Sequence, residues 1–364
     1  MKINIAKPLI GDEEIAEVTR VLRSGMIASG PETKKFEEEF ADFVGSKYAC
    51  AATNGTAAIS VALSACGIGP GDEVITSPFT FVATANAILS CGATPVFADI
   101  NEETFNLCPK STIEALTEKT KAIMPVHLYG LAAEMDSFRE IAEKHNLFLI
   151  GDAAQAHGAM LNGMHVGSLA DFECFSFYPT KNMTTGEGGM ITTSNLELYN
   201  NANSIRNHGR PTNTLGTYEY QQFGLNVRLT DIGSAIGRVQ LRRLTEFNSN
   251  RARNAKLLTE NLTGVKGIVL PTVPEGYVHA WHQYTIKVEK RDELISFLKE
   301  NNIGCGIYYP RTIYEYPHLE KYKSDCKVAD LVASQALSLP VHAGLTIDEV
   351  QEVARVVAEW ANEQ

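Results

Sequence analysis

Between residues 48 and 193 the chain repeatedly sets a short apolar run beside a longer amphipathic segment. The apolar runs predict strands at residues 48–52, 73–76, 94–98, 122–125 and 147–151, with two more at 172–177 and 189–193. Helical spacing predicts helices at 56–66, 81–90, 111–116 and 135–145, and Ser111 with Glu114 reads as a capping box for the third of these. Strands open to water on one side alternate apolar with polar residues; these are mostly apolar on successive positions, so both faces of the sheet must be covered. The expectation is an α/β fold in which helices sandwich a mainly parallel central sheet.

The flanking segments read differently. Asp12 can cap a helix that carries Ile15, Val18 and Leu22 on one face and ends near Gly25. Pro31 suits the first turn of a second helix, with Phe36, Phe40 and Phe43 as its apolar side. Residues 207–223 are polar and rich in Gly, Pro, Thr and Asn, which predicts a long loop or hairpin. A helix over 230–244 then leads out of the large domain, so the domains are expected at 1–245 and 246–364. The second is read as a smaller α+β unit with strands at 282–288 and 304–308 and a helix between them. In its last helix Thr346 and Glu349 form a capping box, and Val350, Val353, Val357 and Trp360 share one face.

Composition narrows the function classes. The 364 residues carry a net charge of -11, against the basic excess that a nucleic-acid surface needs. No apolar run approaches the roughly 18 residues of a membrane span, and the amino terminus turns acidic before any signal-length apolar core. Seven scattered cysteines form no C-x-x-C pair, which argues against a zinc site or disulfide framework and for a reducing, cytoplasmic location.

Two segments at predicted strand ends hold the chemistry: Gly151-Asp152-Ala153-Ala154-Gln155-Ala156-His157-Gly158, and Phe175-Ser176-Phe177-Tyr178-Pro179-Thr180-Lys181-Asn182, which runs on to Gly186-Glu187-Gly188-Gly189. In an open α/β sheet, ligands sit beyond the carboxyl ends of the strands. A pyridoxal cofactor needs an amine for its aldehyde, a carboxylate beside the ring nitrogen, hydroxyl and N–H groups for its phosphate, and a flat group over the ring. Lys181, Asp152, the Gly55–Thr56 helix entry with Ser176, and Phe81 can supply these in turn. Singly, each has an ordinary reading: a solvated lysine, a turn aspartate, a turn-to-helix junction, a core phenylalanine. Their order and spacing make the case for a site at these strand ends, without naming the cofactor.

The motifs go further. NGTAA at 54–58, GPGDEVI at 69–75, GATPVFADI at 92–100, PVHLYG at 125–130, GDAAQAHGA at 151–159, FSFYPTKNMTTGEGG at 175–189 and GLNVRLTDI at 224–232 occur in this order. With them the chain resembles, over nearly its whole length, the DegT/DnrJ/StrS family of pyridoxal-phosphate-dependent sugar aminotransferases, within the fold-type I aspartate aminotransferase superfamily. The resemblance implies that Lys181 is the Schiff-base lysine and proton carrier. It implies that Asp152 pairs with the pyridine nitrogen, that Gln155 approaches the ring hydroxyl and that Phe81 stacks on the ring. Gly55, Thr56 and Ser176 would hold the phosphate. Asn226 would reach the phosphate of a neighbouring subunit's cofactor, which implies a homodimer with shared active sites.

The substrate side of the resemblance implies a nucleotide-linked keto sugar aminated at the expense of L-glutamate, as in amino-sugar and polysaccharide biosynthesis. The segment Ile307-Tyr308-Tyr309-Pro310 would line the sugar pocket, with Tyr308 where many relatives carry histidine. His208 lies near the same region in the resemblance, as a substrate contact or a loop histidine without a role. Arg228 would meet a substrate carboxylate or phosphate, or form a structural ion pair. Gly186-Glu187-Gly188-Gly189 and His342-Ala343-Gly344-Leu345 are similar to C4-aminating relatives such as perosamine synthases, which favours C4 over C3. Two rivals stand beside this reading. One is a keto-sugar dehydratase, whose relatives carry histidine at the position of Lys181; the other is a non-catalytic regulator that binds the same cofactor.

Overall fold

In the computed structural model, residues 2–211 and 218–363 are described. The helix α1 (Asp12–Ser24) and α2 (Pro31–Val44) precede a seven-stranded sheet built from β1 (Tyr48–Ala52), β2 (Glu73–Thr76), β3 (Thr94–Phe97), β4 (Thr120–Met124), β5 (Phe148–Asp152), β8 (Phe172–Ser176) and β9 (Gly189–Thr193). A short hairpin of β6 (Met160–Leu161) and β7 (Met164–His165) lies between β5 and β8 in sequence, and β10 (Tyr277–Val278) pairs with it. The order across the large sheet is β1-β9-β8-β5-β4-β2-β3. The pairs β2–β3, β2–β4, β4–β5 and β5–β8 are parallel, and only β9 runs against its two neighbours. The connecting helices are α3 (Gly55–Ala65), α4 (Ala83–Ser90), α5 (Pro109–Glu114), α6 (Met135–His145) and α7 (Leu196–Ile205).

Strand residues one apart point to opposite faces, and each face has its own core. Ile75, Ile123, Leu149, Phe175 and Met190 join Phe36 and Phe40 of α2 and Phe138 of α6. Val74, Met124, Ile150, Cys174 and Ile191 join Ile59 and Leu63 of α3, Ile88 of α4 and Leu198 of α7. The continuous apolar strands thus have the two-sided cover that their composition demands. The same parity places Asp152 and Ser176, two residues beyond Ile150 and Cys174, on the face covered by α3 and α4.

The helix α8 (Asp231–Leu262) starts where expected, with Thr230 as its cap, but it runs to Leu262 rather than stopping near 244. Leu241 and Leu244 belong to the large-sheet core, while Ala255, Leu258 and Leu262 belong to the carboxy-terminal one. Residue 245 therefore falls inside one rigid rod that joins two cores. The second core gathers β11 (Tyr284–Lys287), α9 (Arg291–Glu300), β12 (Ala336–Leu339) and α11 (Ile347–Asn362) around Tyr284, Leu294, Leu337 and Val353. α10 (Lys327–Gln335) leads directly into β12. The capping box of Thr346 and Glu349 opens α11, with Val350, Val353, Val357 and Trp360 buried.

Several expectations need correction. Gly11, not Asp12, caps α1, and its N–H donates to the Glu14 carboxylate at 2.8 Å. The face carrying Ile15 and Leu22 points outward, with 59% and 54% of these residues exposed, while Glu14 and Val21 are buried against the body of the protein. Ser111 and Glu114 form no capping box: Cys108 is the cap and Pro109 the first residue of α5, because a proline fits the first turn, where its missing N–H costs nothing. Residues 304–308 form no strand; Gly306 makes an isolated bridge to Ser338, and β11 pairs with β12 instead. Of the long loop at 207–223, residues 212–217 lie outside the described residues.

Candidate active site

Asp152 ends β5 with its carboxylate buried, about 5% exposed. One oxygen accepts the Thr84 hydroxyl at 2.7 Å and the other accepts the Ala154 N–H at 3.2 Å. Burial pushes this carboxyl above its usual range, against the pull of those two donors and of Lys181. Thr84 stands in the first turn of α4 and its own hydroxyl lies 3.0 Å from that of Thr80.

Lys181 follows β8 in a tight turn, its N–H donating to the Tyr178 carbonyl at 2.9 Å. The segment folds back through the Thr184 hydroxyl, which donates to the Phe177 carbonyl at 2.8 Å, and the Gly188 carbonyl, which accepts the Phe177 N–H at 2.8 Å. A side chain on Gly189 would meet the Asn54 carbonyl oxygen at 2.4 Å, so the glycine lets β9 lie against the entry to α3. Burial lowers the Lys181 ammonium to about 8, while the charge of Asp152 acts in the opposite sense.

The entry to α3 faces Ser176. Asn54 caps the helix by accepting the Ala57 N–H at 2.8 Å. Among the described residues, the Gly55 and Thr56 N–H groups have no acceptor, as the first turn of a helix leaves them. A Cβ on Gly55 would come within 2.7 Å of the Ser176 Cβ. The glycine thus leaves a small cradle walled by two hydroxyl side chains and open N–H groups, at the positive end of an 11-residue helix.

Phe81 is 56% exposed, and its ring centroid lies 6.1 Å from that of Tyr309 at a 35° tilt. Gln155 is buried between two tyrosines: its oxygen accepts the Tyr129 N–H at 2.8 Å and its amide donates to the Tyr309 hydroxyl at 3.1 Å. Tyr308 is half-buried, with its ring over Gly306 and its carbonyl accepting the Tyr129 hydroxyl. Sequence reasoning missed Thr84 and Tyr309. A hydroxyl three residues after Phe81, at a helix entry, is a weak signal for the first; nothing in sequence separates Tyr309 from its neighbour Tyr308.

Three candidates lie elsewhere. His208 and Arg228 line a cavity of about 400 Å³ together with Ala28, Ser29, Arg206 and Arg210, and neither Lys181 nor Asp152 borders it. His208 is exposed, in a left-handed turn at φ 62°. Arg228 donates to the Asn207 side chain at 2.5 Å, and among the described residues no carboxylate pairs with it. Burial and the nearby Arg210 and Arg206 lower its guanidinium below the ordinary value. Arg206 itself is paired with Glu37. Asn226 is exposed, in a segment tied beside the α3 entry by the Thr53 N–H donating to the Val227 carbonyl at 2.9 Å.

This arrangement fits pyridoxal phosphate. Among the described residues the Asp152 carboxylate is hydrogen-bonded only by two neutral donors, and a protonated ring nitrogen would give it a cation at hydrogen-bond range. The Gly55–Ser176 cradle offers donors without acceptors, as a phosphate requires. Lys181 is a half-buried amine on the turn that follows Ser176.

The model of the DegT/DnrJ/EryC1/StrS aminotransferase family matches residues 8–358. A GDP-perosamine synthase from Caulobacter vibrioides is 39% identical, with 97% of this chain and 96% of that protein covered. A UDP-N-acetyl-3-dehydro-alpha-D-glucosamine 3-aminotransferase from Acidithiobacillus ferrooxidans is 38% identical, with 95% and 93% covered. The crystal structure of DesV from S. venezuelae, in complex with a ketimine intermediate, superposes with a TM-score of 0.92 at 36% identity over 96% of this chain and 94% of that one.

Proposed function

The chain belongs to the DegT/DnrJ/EryC1/StrS aminotransferase family and is a pyridoxal-phosphate-dependent sugar aminotransferase; from that premise we propose that its acceptor is a nucleotide-linked keto sugar, aminated at C4 with L-glutamate as donor. The amino-transfer chemistry is supported by Asp152 and Lys181 at adjacent strand ends, and the likeness to a GDP-perosamine synthase is what favours a nucleotide-linked acceptor and C4.

When bound, pyridoxal phosphate supplies an aldehyde that accepts the amino group and a conjugated ring that accepts the electron pair left when a proton leaves the donor's Cα. Lys181 would hold the cofactor through Nζ and, as a free amine, would take the proton from the donor's Cα and return it. Its lowered pKa matters here, because only the neutral amine is a base. Asp152 keeps the proton on the ring nitrogen, and Thr84 fixes the orientation of that carboxylate. Gly55, Thr56 and Ser176 hold the phosphate at the α3 entry. Phe81 and Tyr309 flank the site as aromatic walls, and Gln155, held by Tyr129, would approach the cofactor's ring hydroxyl.

Arg228 and Arg210, with no carboxylate partner among the described residues, give the second cavity a cationic wall suited to an anionic part of the substrate, with His208 at its rim. Tyr308 lies on the segment that lines the sugar pocket. The site is completed by a second copy of the chain: the exposed Ile15, Leu22 and Met26 of the α1 region supply an apolar surface for it, and the exposed Asn226 supplies a contact across it. All seven cysteines are free thiols, which supports a cytoplasmic location. Among the described residues no helix is long and apolar enough to cross a membrane.

The test is a panel of nucleotide-linked 3-keto and 4-keto sugars incubated with L-glutamate, scored for amine product and 2-oxoglutarate. Stoichiometric amine at C4 is expected; amine only at C3, or none, overturns the substrate reading. Mixing Lys181→Ala with Asn226→Ala protein should restore some activity, and verified mixed dimers that recover none would remove the shared site.

A further inference from the structure

Behind Lys181 lies a group of buried polar side chains that the chemistry above leaves unused. Asn182, the next residue, is buried, and its amide donates to the Asn248 side chain at 2.8 Å and to the Ala280 carbonyl at 2.7 Å. With both hydrogens used, its oxygen can only accept. That oxygen lies 3.3 Å from His282 Nδ1, so the network assigns the proton to Nδ1. Burial, reinforced by Lys181 and Arg251, holds the imidazole well below its usual pKa and therefore neutral. Arg251, one turn along α8 from Asn248, donates to the carbonyls of Trp281 and His282 at 3.0 and 3.2 Å. Asn248 also donates to the His157 carbonyl at 2.8 Å, in the segment that begins at Asp152. One face of α8 thus ties together the loop after β5, the loop after β8 and the 280–282 segment that leads into β11.

We propose that His282 is a positioning residue for Lys181, acting through Asn182. The inference rests on the reading of Lys181 as the residue that binds the cofactor covalently. A lysine side chain has four rotatable carbons and cannot aim itself; its backbone can be fixed. The Nδ1–H bond to Asn182, with the two bonds that Asn182 donates, pins the peptide that follows Lys181 to both α8 and the carboxy-terminal part. A mere core contact would depend on the volume of the imidazole. Positioning depends on the N–H donor.

The test separates these two roles and uses the full chain. Borohydride reduction with peptide mapping first establishes whether pyridoxal phosphate is fixed at Lys181. Cofactor-free protein is then mixed with pyridoxal phosphate, and the rate of covalent capture is followed by the visible band. Pyridoxamine phosphate, which forms no bond to Lys181, reports whether the rest of the pocket is intact. His282→Leu should slow capture about tenfold, the worth of one hydrogen bond, with pyridoxamine phosphate affinity unchanged. His282→Asn, smaller but able to place an N–H near the Nδ1 position, should recover to within about threefold of the native rate. Asn248→Ala loosens Asn182 without touching His282 and should slow capture even if His282→Leu does not fold. Native rates in His282→Leu or in Asn248→Ala, or equal slowing in His282→Leu and His282→Asn, overturn the proposal. No label at Lys181 in the native protein overturns the site reading, and this inference with it.

Discussion

Replacing Asp152 with Asn should make Lys181 a better nucleophile while making the enzyme a worse catalyst. Burial lowers the lysine to about 8, and the Asp152 charge resists that shift. An amine with a pKa near 8 is about 10% neutral at pH 7, against about 0.03% for an ordinary lysine, an advantage of roughly 300-fold in reactive form. Without the Asp152 charge the midpoint must fall below 8, and the reactive fraction at pH 7 can rise by at most about tenfold more. The sign is fixed: a cation whose pKa is depressed is reactive above the midpoint, so the rate climbs with pH and then levels. Salicylaldehyde is a suitable probe, since it forms a coloured imine but has no ring nitrogen for Asp152 to meet. Its rate of reaction with cofactor-free protein, read from pH 6 to 10 and mapped to Lys181 by borohydride, should level near 8 in the native protein and earlier in Asp152→Asn. Turnover by Asp152→Asn with pyridoxal phosphate should meanwhile fall by about a hundredfold or more, as when a preorganised charge is removed from a site. A midpoint that stays fixed or rises in the variant, or a native profile still climbing at pH 10, would refute the electrostatic reading of the pair.

Thr84→Val removes the 2.7 Å hydrogen bond that lowers the Asp152 carboxyl. The acid limb of the pH–rate profile should then move to higher pH, and an unmoved limb would show that Asp152 does not control it. Gly55→Ala places a methyl 2.7 Å from the Ser176 Cβ, and affinity for pyridoxamine phosphate should fall at least about tenfold; unchanged affinity would put the phosphate elsewhere. Asp231 accepts the N–H groups of Gly30, Glu32 and Thr33 at 2.7, 3.2 and 3.0 Å, capping α2 from the start of α8. Asp231→Ala should cost about 2 kcal/mol in urea unfolding, and a loss below about 0.5 kcal/mol would mean that water replaces the cap.

The large sheet was legible because its strands are covered on both faces, which makes each a continuous apolar run between breakers. The carboxy-terminal part gave a weaker signal. The strand Ala336–Leu339 directly continues α10 without a break in composition, so it reads as more helix. The Gly304–Tyr308 stretch looks like a strand by content, but Gly306 is there to accommodate the Tyr308 ring. In α1, periodicity found a shared apolar face but could not say what covers it, and Ile15 and Leu22 on that face are exposed. Asp152, Ser176, Gly55 and Lys181 were legible since each lies where a strand meets a turn or helix. Thr84, Tyr309 and His282 were not, because their roles depend on where distant segments dock: Tyr309 reaches Gln155 across 154 positions of sequence and His282 reaches Asn182 across 100.

The directions of the two central shifts also say something about the protein before its cofactor arrives. Asp152 is pushed up and Lys181 down, so burial drives both groups towards their neutral forms. Had they been placed for stability as an ion pair, their mutual attraction would outweigh the loss of water and move both the other way. Burial wins instead, and the fold therefore carries two polar groups that it only partly satisfies. A protonated ring nitrogen would answer the first, and a covalent bond to the cofactor would engage Nζ of the second. Binding free energy that would otherwise be spent on a satisfied apoprotein is thus directed to the cofactor, and the strain that makes Lys181 a base is the same strain that makes it a ligand.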